Sequence, residues 1–265
     1  MEIPFFKFQG TGNDFIIVDQ FDQVYLTTVS TSVIRNFCHR KFGVGADGLI
    51  LLMPHPSCSF EMIYFNADGK EGSLCGNGSR CAVEYMRLLK RIGNDCTFLA
   101  SDGHHRARVQ TPGFIEISMQ DVKGIKTGDG FVIVDTGSPH YVTFVDDLSS
   151  VDIVNQGRAI RFSDTFNEKG INVNFVQLNE SYIEVSTYER GVENETLSCG
   201  TGVTASALAY GLRNRDNGEY DLPVMTNGGQ LRVKFHRAGT TFSNIWLCGP
   251  AELVFTGTYI ANSAA

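Results

Sequence analysis

No run of lysine or arginine occurs in these 265 residues, and the formal charge is −7. Both facts argue against nucleic acid as a partner. No apolar stretch is long enough to span a bilayer as a helix, so a membrane partner is not expected. Met1-Glu2-Ile3-Pro4 opens without a basic, apolar or cleavage region, so no signal peptide is expected and the expected compartment is the cytoplasm. The seven cysteines include no Cys-x-x-Cys pair, their number is odd, and their density is far below that of a disulfide scaffold. A metal held by Cys75 and Cys81 would need unusual spacing and two more ligands, so no metal is expected. The phosphate-cradling pattern G-x-x-x-x-G-K-[ST] is also missing, which weighs against a nucleotide. What remains is ordinary protein: 42% hydrophobic and 19% charged, with enough material for one large domain or two of roughly 130 residues.

Two stretches stand out. Leu74-Cys75-Gly76-Asn77-Gly78-Ser79-Arg80-Cys81-Ala82 has a near-copy in Ser198-Cys199-Gly200-Thr201-Gly202-Val203-Thr204-Ala205. Each reads Cys-Gly-x-Gly and runs straight into a helical pattern. One such loop is a weak signal, but two led by cysteine suggest a site built from two equivalent arms.

The order of elements repeats around them. Alternation predicts strands at Phe5–Gln9 and Phe15–Asp19, separated by the turn cluster Gly10-Thr11-Gly12-Asn13-Asp14. A helix follows, capped by Ser30 or Thr31, then strands at Leu49–Met53 and Phe60–Phe65, and the helix behind Cys75. On that helix Arg80, Glu84, Arg87 and Lys90 fall on one stripe and the other faces are apolar. Short strands at Phe98–Ala100, Arg106–Gln110 and Phe114–Met119 finish the first half. In the second half, Thr136-Gly137-Ser138-Pro139-His140 leads into a strand, and Ser149 or Ser150 caps a helix through Ile160. Strands at Val173–Leu178 and Tyr182–Tyr188 then precede Cys199. Thr11 lies 64 positions before Cys75, and Thr136 lies 63 before Cys199. The architecture is therefore duplicated. From Gly200 to Leu212 there is no charged residue, so this helix must be enclosed by protein. The fold class expected is α/β (α+β): two pseudo-symmetric domains, each a curved, mostly antiparallel sheet wrapped around a central helix. With the linker near Lys123–Gly130, the halves are 1–126 and 127–252.

A cysteine at a helix start lies in the positive end of the backbone dipole, which stabilises its thiolate and lowers a pKa that begins near ~8.5. The N–H groups of Gly76-Asn77-Gly78 and Gly200-Thr201-Gly202 suit a carboxylate. If pseudo-symmetry brings the arms together, a substrate α-carboxylate has one sulfur on each side of its Cα. That arrangement suits removal of the Cα proton from one face and delivery of a proton to the other, without a cofactor. Cys38, Cys58, Cys81, Cys96 and Cys248 lack the matched context and read as small buried hydrophobes.

These residues resemble the diaminopimelate epimerases, cofactor-independent amino-acid epimerases of lysine and peptidoglycan biosynthesis. The most specific pieces are Gly12-Asn13-Asp14-Phe15, Asn66-Ala67-Asp68-Gly69, the two cysteine loops and Tyr188-Glu189-Arg190-Gly191. The likeness runs from Phe6 to Ala251. It implies a site in the cleft between two domains, with a last strand (253–265 with the first half) returning to the first domain. It also implies a thiolate–thiol pair in Cys75 and Cys199. Asn13, Gly76, Asn77, Gly200 and Thr201 would hold the reacting end, while Asn66, Asn172 and Arg190 would read the distant one. His140 and Glu189 would sit beside the thiols and exchange protons. A small-molecule substrate and a homodimer are further family expectations. The chain departs from the family's pattern at Ser138, where Asn is frequent, and at Gly48, where some members carry Gln near the substrate. Alternatives left open are a racemase of another amino acid, a cysteine-dependent hydrolase with His140 as base, and a non-catalytic carboxylate binder.

Overall fold

The computed structural model describes residues 1–27 and 30–261; residues 262–265, given above to the first half, lie outside the described residues. The chain forms two compact units, Met1–Ile117 with Pro250–Ala265, and Ser118–Gly249.

The first unit begins with β1 (Glu2–Gly10) and β2 (Asn13–Asp19), joined by a turn in which Thr11 and Gly12 both adopt positive φ. It continues with α1 (Thr31–Cys38), β3 (Gly48–Met53), β4 (Phe60–Asn66), α2 (Gly76–Leu88), β5 (Asp95–Ala100), β6 (Gly103–Thr111) and β7 (Phe114–Ser118). β1/β2 is antiparallel, β2/β3 parallel across α1, β3/β4 antiparallel, and β4/β5 parallel across α2; β5/β6 and β6/β7 are antiparallel. The chain's last strand, Glu252–Ile260, pairs antiparallel with β1.

Alternation along β1 assigns its two faces to two helices. Ile3 and Phe5 join Ile34 and Phe37 of α1 in one core, with the Phe5 and Phe37 rings edge to face at 5.4 Å. Phe6 and Phe8 point the other way, onto Tyr85 of α2. Every residue of α2 from Gly76 to Met86 is consequently buried.

The second unit repeats the pairing order. It contains β8 (Lys126–Thr127), β9 (Phe131–Asp135), β10 (Pro139–Val145), a 3-10 turn (Leu148–Ser150), α3 (Ile153–Arg161), β11 (Asn172–Leu178), β12 (Ile183–Glu189) and β13 (Asn194–Thr196). Then come α4 (Gly200–Asn214), β14 (Gly218–Thr226), β15 (Gly229–Ala238) and β16 (Thr241–Pro250). β9/β10 is antiparallel, β10/β11 parallel across α3, β11/β12 antiparallel, β12/β14 parallel across α4, and β14/β15 and β15/β16 antiparallel. Apart from the short β8 and β13, each step matches one in the first unit. Val173 and Phe175 of β11 face the α3 core with Ile153 and Tyr188. α4 packs on β9, β10, β11, β12, β14 and β15, and is buried without a break from Gly200 to Ala209.

The charged stripe of α2 runs from buried to exposed: Arg80 is fully buried and Glu84 nearly so, whereas Lys90 is exposed. Arg80 donates to the carbonyl of Pro250 at 3.1 Å and to the Thr11 hydroxyl at 3.2 Å, tying the helix to the β1–β2 turn and to the last strand's entry. Glu84 is matched by Arg87 at 2.6 Å. The α3 cap is Asp152, which accepts from the Asn155 N–H at 3.1 Å; Ser149 and Ser150 fall in the preceding 3-10 turn.

Truncating a buried side chain that satisfies buried acceptors costs packing as well as hydrogen bonds. Arg80→Ala is expected to lower unfolding stability by roughly 2–4 kcal/mol, read as a lower urea midpoint at unchanged slope.

Candidate active site

Both cysteine loops form helix starts. Cys75 is the N-cap of α2 with extended backbone (φ −106°, ψ 106°), and Cys199 occupies the same position on α4 (φ −117°, ψ 110°). An extended cap residue followed at once by helix directs its side chain over the first turn, where amide hydrogens lack intrahelical partners. The Gly78 N–H points at the Cys75 sulfur at 3.4 Å. Gly78 lets the helix start lie close against its neighbours: a Cβ there would stand 3.0 Å from Ile50 Cδ1 and 3.4 Å from the Phe15 ring.

In the first unit Asn13 joins this loop. Its Oδ1 lies 3.8 Å from the Cys75 sulfur and accepts from Asn77 Nδ2 at 3.4 Å. Asn13 Nδ2 donates to Asp47 at 2.6 Å, which fixes the amide so that its oxygen faces the sulfur. Asp47 belongs to an ion network: Arg40 bridges Asp14 and Asp47 at 2.7 and 2.6 Å, and Lys7 meets Asp14 at 2.7 Å and the Gly45 carbonyl. Burial alone would push the Asp14 carboxyl up. Hydrogen bonds from Arg40 and Lys7, with the charge of Lys7, outweigh it and hold Asp14 well below the usual carboxylate range.

In the second unit the sulfur of Cys199 lies 3.5 Å from the Thr201 hydroxyl, and Thr201 Oγ1 lies 3.0 Å from His140 Nε2. His140 Nδ1 faces Asn174 Nδ2 at 3.1 Å. The Thr136 hydroxyl donates to the Thr201 carbonyl at 2.9 Å. Burial lowers the His140 pKa to about 3, with a contribution from the positive charge of Arg190, so the imidazole is neutral at physiological pH. Gly202 faces the same network: a Cβ there would meet Asn174 Oδ1 at 2.4 Å and the His140 ring at 3.3 Å.

The structure thus gathers Asn13, Cys75, Gly76 and Asn77 at one helix start, and His140, Cys199, Gly200 and Thr201 at another. Asn172, Glu189 and Arg190 form a further group at the paired ends of β11 and β12. Asn172 Oδ1 accepts from the Arg190 N–H at 2.9 Å, Arg190 Nη1 donates to the Lys169 carbonyl at 3.0 Å, and Glu189 accepts from Thr196 at 3.0 Å. Asn66 is exposed at the last position of β4, where its carbonyl accepts from the Gly69 N–H. At Gly48 the departure has a steric cause: a Cβ would stand 2.4 Å from the Tyr64 ring and 2.6 Å from the Phe65 carbonyl.

Sequence reasoning missed Asp14, Asp47, Arg40 and Lys7 as supports of Asn13, and Asn174 and Thr187 as supports of His140. Asn174 did leave a signal. Asparagine is disfavoured inside strands, and Asn172-Val173-Asn174 puts two on one face of β11. The remaining cysteines stand apart from this chemistry: burial pushes the thiols of Cys38 and Cys96 up to about 12, and also raises Cys81. Among the described residues no group of three or more His, Cys, Asp or Glu is arranged to hold a metal ion, and no helix is long and apolar enough to cross a membrane.

Gly202→Ala is expected to destabilise the fold by roughly 1–3 kcal/mol through overpacking, and to displace Asn174 from His140. Thermal unfolding and the histidine NMR spectrum check these two effects. The lowered His140 pKa also sets a pH dependence. Between about 3, its value in the fold, and about 6.5, its unfolded value, the unfolded chain binds the extra proton. The stability conferred by neutral His140 is therefore complete above the unfolded value and is lost as pH falls toward the folded one. Urea midpoints should decline over that window, and His140→Gln should flatten the decline.

The family model for diaminopimelate epimerase matches residues 5–125 and 132–254. A diaminopimelate epimerase of Flavobacterium psychrophilum is 44% identical over 96% of this chain and 98% of its own. That of Aquifex aeolicus is 38% identical over 96% and 97%, and that of Methanocella arvoryzae 39% over 97% and 96%. Among solved structures, a phenazine biosynthesis protein of the PhzF family from Bacillus anthracis superposes with a TM-score of 0.78 at 14% identity, covering 98% of this chain and 100% of its own. A hydroxyproline epimerase from Agrobacterium vitis gives 0.73 at 13%, covering 97% and 92%. These two share the fold.

Proposed function

The chain belongs to the diaminopimelate epimerase family, and from that premise we propose that it interconverts LL- and meso-2,6-diaminopimelate, a step of lysine and peptidoglycan biosynthesis, with no cofactor. The observation that carries this reading is the pair of cysteines capping the two enclosed helices, each at the head of a Cys-Gly-x-Gly loop.

Inverting an amino-acid α-carbon needs a base that takes its proton and an acid that protonates the opposite face. Cys75 and Cys199 are assigned these roles. A thiolate takes the α-proton, the C–H electron pair spreads into the carboxylate, and the second S–H supplies a proton to the other face. The two thiols finish with their protonation states exchanged, so one direction of the reaction prepares the enzyme for the other. Charge gathering on the carboxylate favours the helix starts at Gly76-Asn77 and Gly200-Thr201, whose backbone N–H groups are already oriented. Asn13, with its amide oxygen held toward the sulfur, is a further polar partner of the reacting end. His140 supports the second loop through Thr201.

The distal amino-acid end is assigned to Asn66, Asn172, Glu189 and Arg190. Arg190 offers a planar fork for a second carboxylate, and Asn172 holds its backbone in place. This group distinguishes a diamino dicarboxylate from an amino acid with a single carboxylate.

Purified protein given LL-diaminopimelate should produce the meso isomer, followed by chiral chromatography. Cys75→Ala and Cys199→Ala should each lose roughly 10²–10⁴-fold in turnover, and full isomerisation by either variant would contradict the two-thiol assignment. Arg190→Ala should raise KM by roughly 10- to 100-fold, the loss of a charge-assisted hydrogen bond to a carboxylate.

A further inference from the structure

The hydrogen bonds behind Cys199 run in one direction, and that direction can be read from groups that have no choice of role. The carbonyl of Tyr141 can only accept, and Asn174 Nδ2 lies 3.1 Å from it. Turning the amide over would place two carbonyl oxygens against each other. Asn174 Oδ1 accepts from the Thr187 hydroxyl at 2.9 Å, which agrees with the same orientation. The second hydrogen of Asn174 Nδ2 is then available to His140 Nδ1, 3.1 Å away, and an N–H there requires a lone pair on that ring nitrogen. The ring's single proton is therefore on Nε2, which donates to Thr201 Oγ1 at 3.0 Å. Thr201 receives that hydrogen and keeps its own to give, and the Cys199 sulfur lies 3.5 Å away.

We infer that Asn174 is a positioning residue for proton transfer at Cys199: it holds His140 as the Nε2–H tautomer, and His140 turns the Thr201 hydroxyl so that its hydrogen meets the sulfur. This rests on the reading of Cys199 as an acid–base thiol and gives that thiol its support. The hydroxyl stabilises the thiolate and leaves the thiol form little changed, so it helps the sulfur give up its proton as well as hold the charge. His140 is thereby an orienting group instead of a proton carrier, because Nε2 has no lone pair and Nδ1 is covered by the amide. A doubly protonated ring would set N–H against N–H at Asn174, and burial independently keeps the ring neutral. The bare Cα at Gly202 has its reason here too, since a methyl group there would stand 2.4 Å from Asn174 Oδ1.

Nitrogen NMR of the full chain labelled in histidine reads the tautomer without reference to activity. The wild type should show His140 with an unprotonated Nδ1 and a protonated Nε2 throughout the neutral range, and a protonated Nδ1 overturns the proposal. Asn174→Asp, which replaces the donor by an acceptor, should move the proton to Nδ1 and lower kcat by roughly 10- to 100-fold, as loss of a group that orients a catalytic partner does. KM should change little. If that variant does not fold, Thr201→Val and Thr201→Ser decide the matter. The valine form keeps the backbone N–H and should lose kcat to a similar extent, while the serine form keeps the hydroxyl and should retain it. Full kcat in Thr201→Val overturns the proposal. A wild type with the stated tautomer that fails to interconvert the diaminopimelate isomers would instead sink the functional reading beneath it.

Discussion

An α-helix whose first turn is enclosed by protein has amide hydrogens that water does not reach, and something must accept them. α2 and α4 are both buried from their first residue. Each begins with cysteine, glycine, a polar residue and glycine, so the start carries a polarizable sulfur, little side-chain bulk and N–H groups that lack intrahelical partners. The dipole favours negative charge at that end. Suitability for a carboxylate and for a thiolate thus follows from one constraint, the need to satisfy an enclosed helix start.

The two starts are supported by different electrostatics. Behind Cys75, Lys7 and Arg40 with Asp14 and Asp47 form an ion network that orients the Asn13 amide. Behind Cys199 the partners are neutral: a hydroxyl, an imidazole and an amide, with a second hydroxyl behind the amide. Burying charge is costly unless it is paired, and a half-satisfied network is costlier still. In the first unit the network is partly solvated, with Arg40 more than half exposed, and it uses ions. In the second, His140 is fully buried and stays uncharged. Duplication preserved the helix starts and let their surroundings diverge.

Most of the topology was legible because it was written twice. The matched spacing of Thr11 to Cys75 and Thr136 to Cys199 depends on two copies of the same pairing order, and strand alternation located β1 to β4, β11 and β12 within a few residues. β14 to β16 were not read, since Tyr220, Phe235 and Trp246 lie in strands whose turns carry few local signals beyond Asn227-Gly228 and Gly239. The burial of Arg80 was not legible, because it is satisfied by a carbonyl and a hydroxyl far away in sequence. Asp152 was missed as the α3 cap because Ser149 and Ser150 make their own turn with Asp147. In the site, residues beside the cysteines could be read from motif, whereas Asp47 and Asn174 act through contacts 34 residues from their partners.

The central claim is that two different sulfurs share each inversion, one taking the proton and the other giving it. Isotope partitioning in the first few per cent of reaction addresses it most directly. LL-diaminopimelate in deuterated water should yield meso product labelled at the inverted α-carbon, while recovered LL substrate stays unlabelled, because the sulfur that takes its proton does not supply the one returned to the opposite face. Deuterium entering the recovered substrate as fast as the product, or product that retains the original proton, would mean that one group serves both faces and would contradict the account.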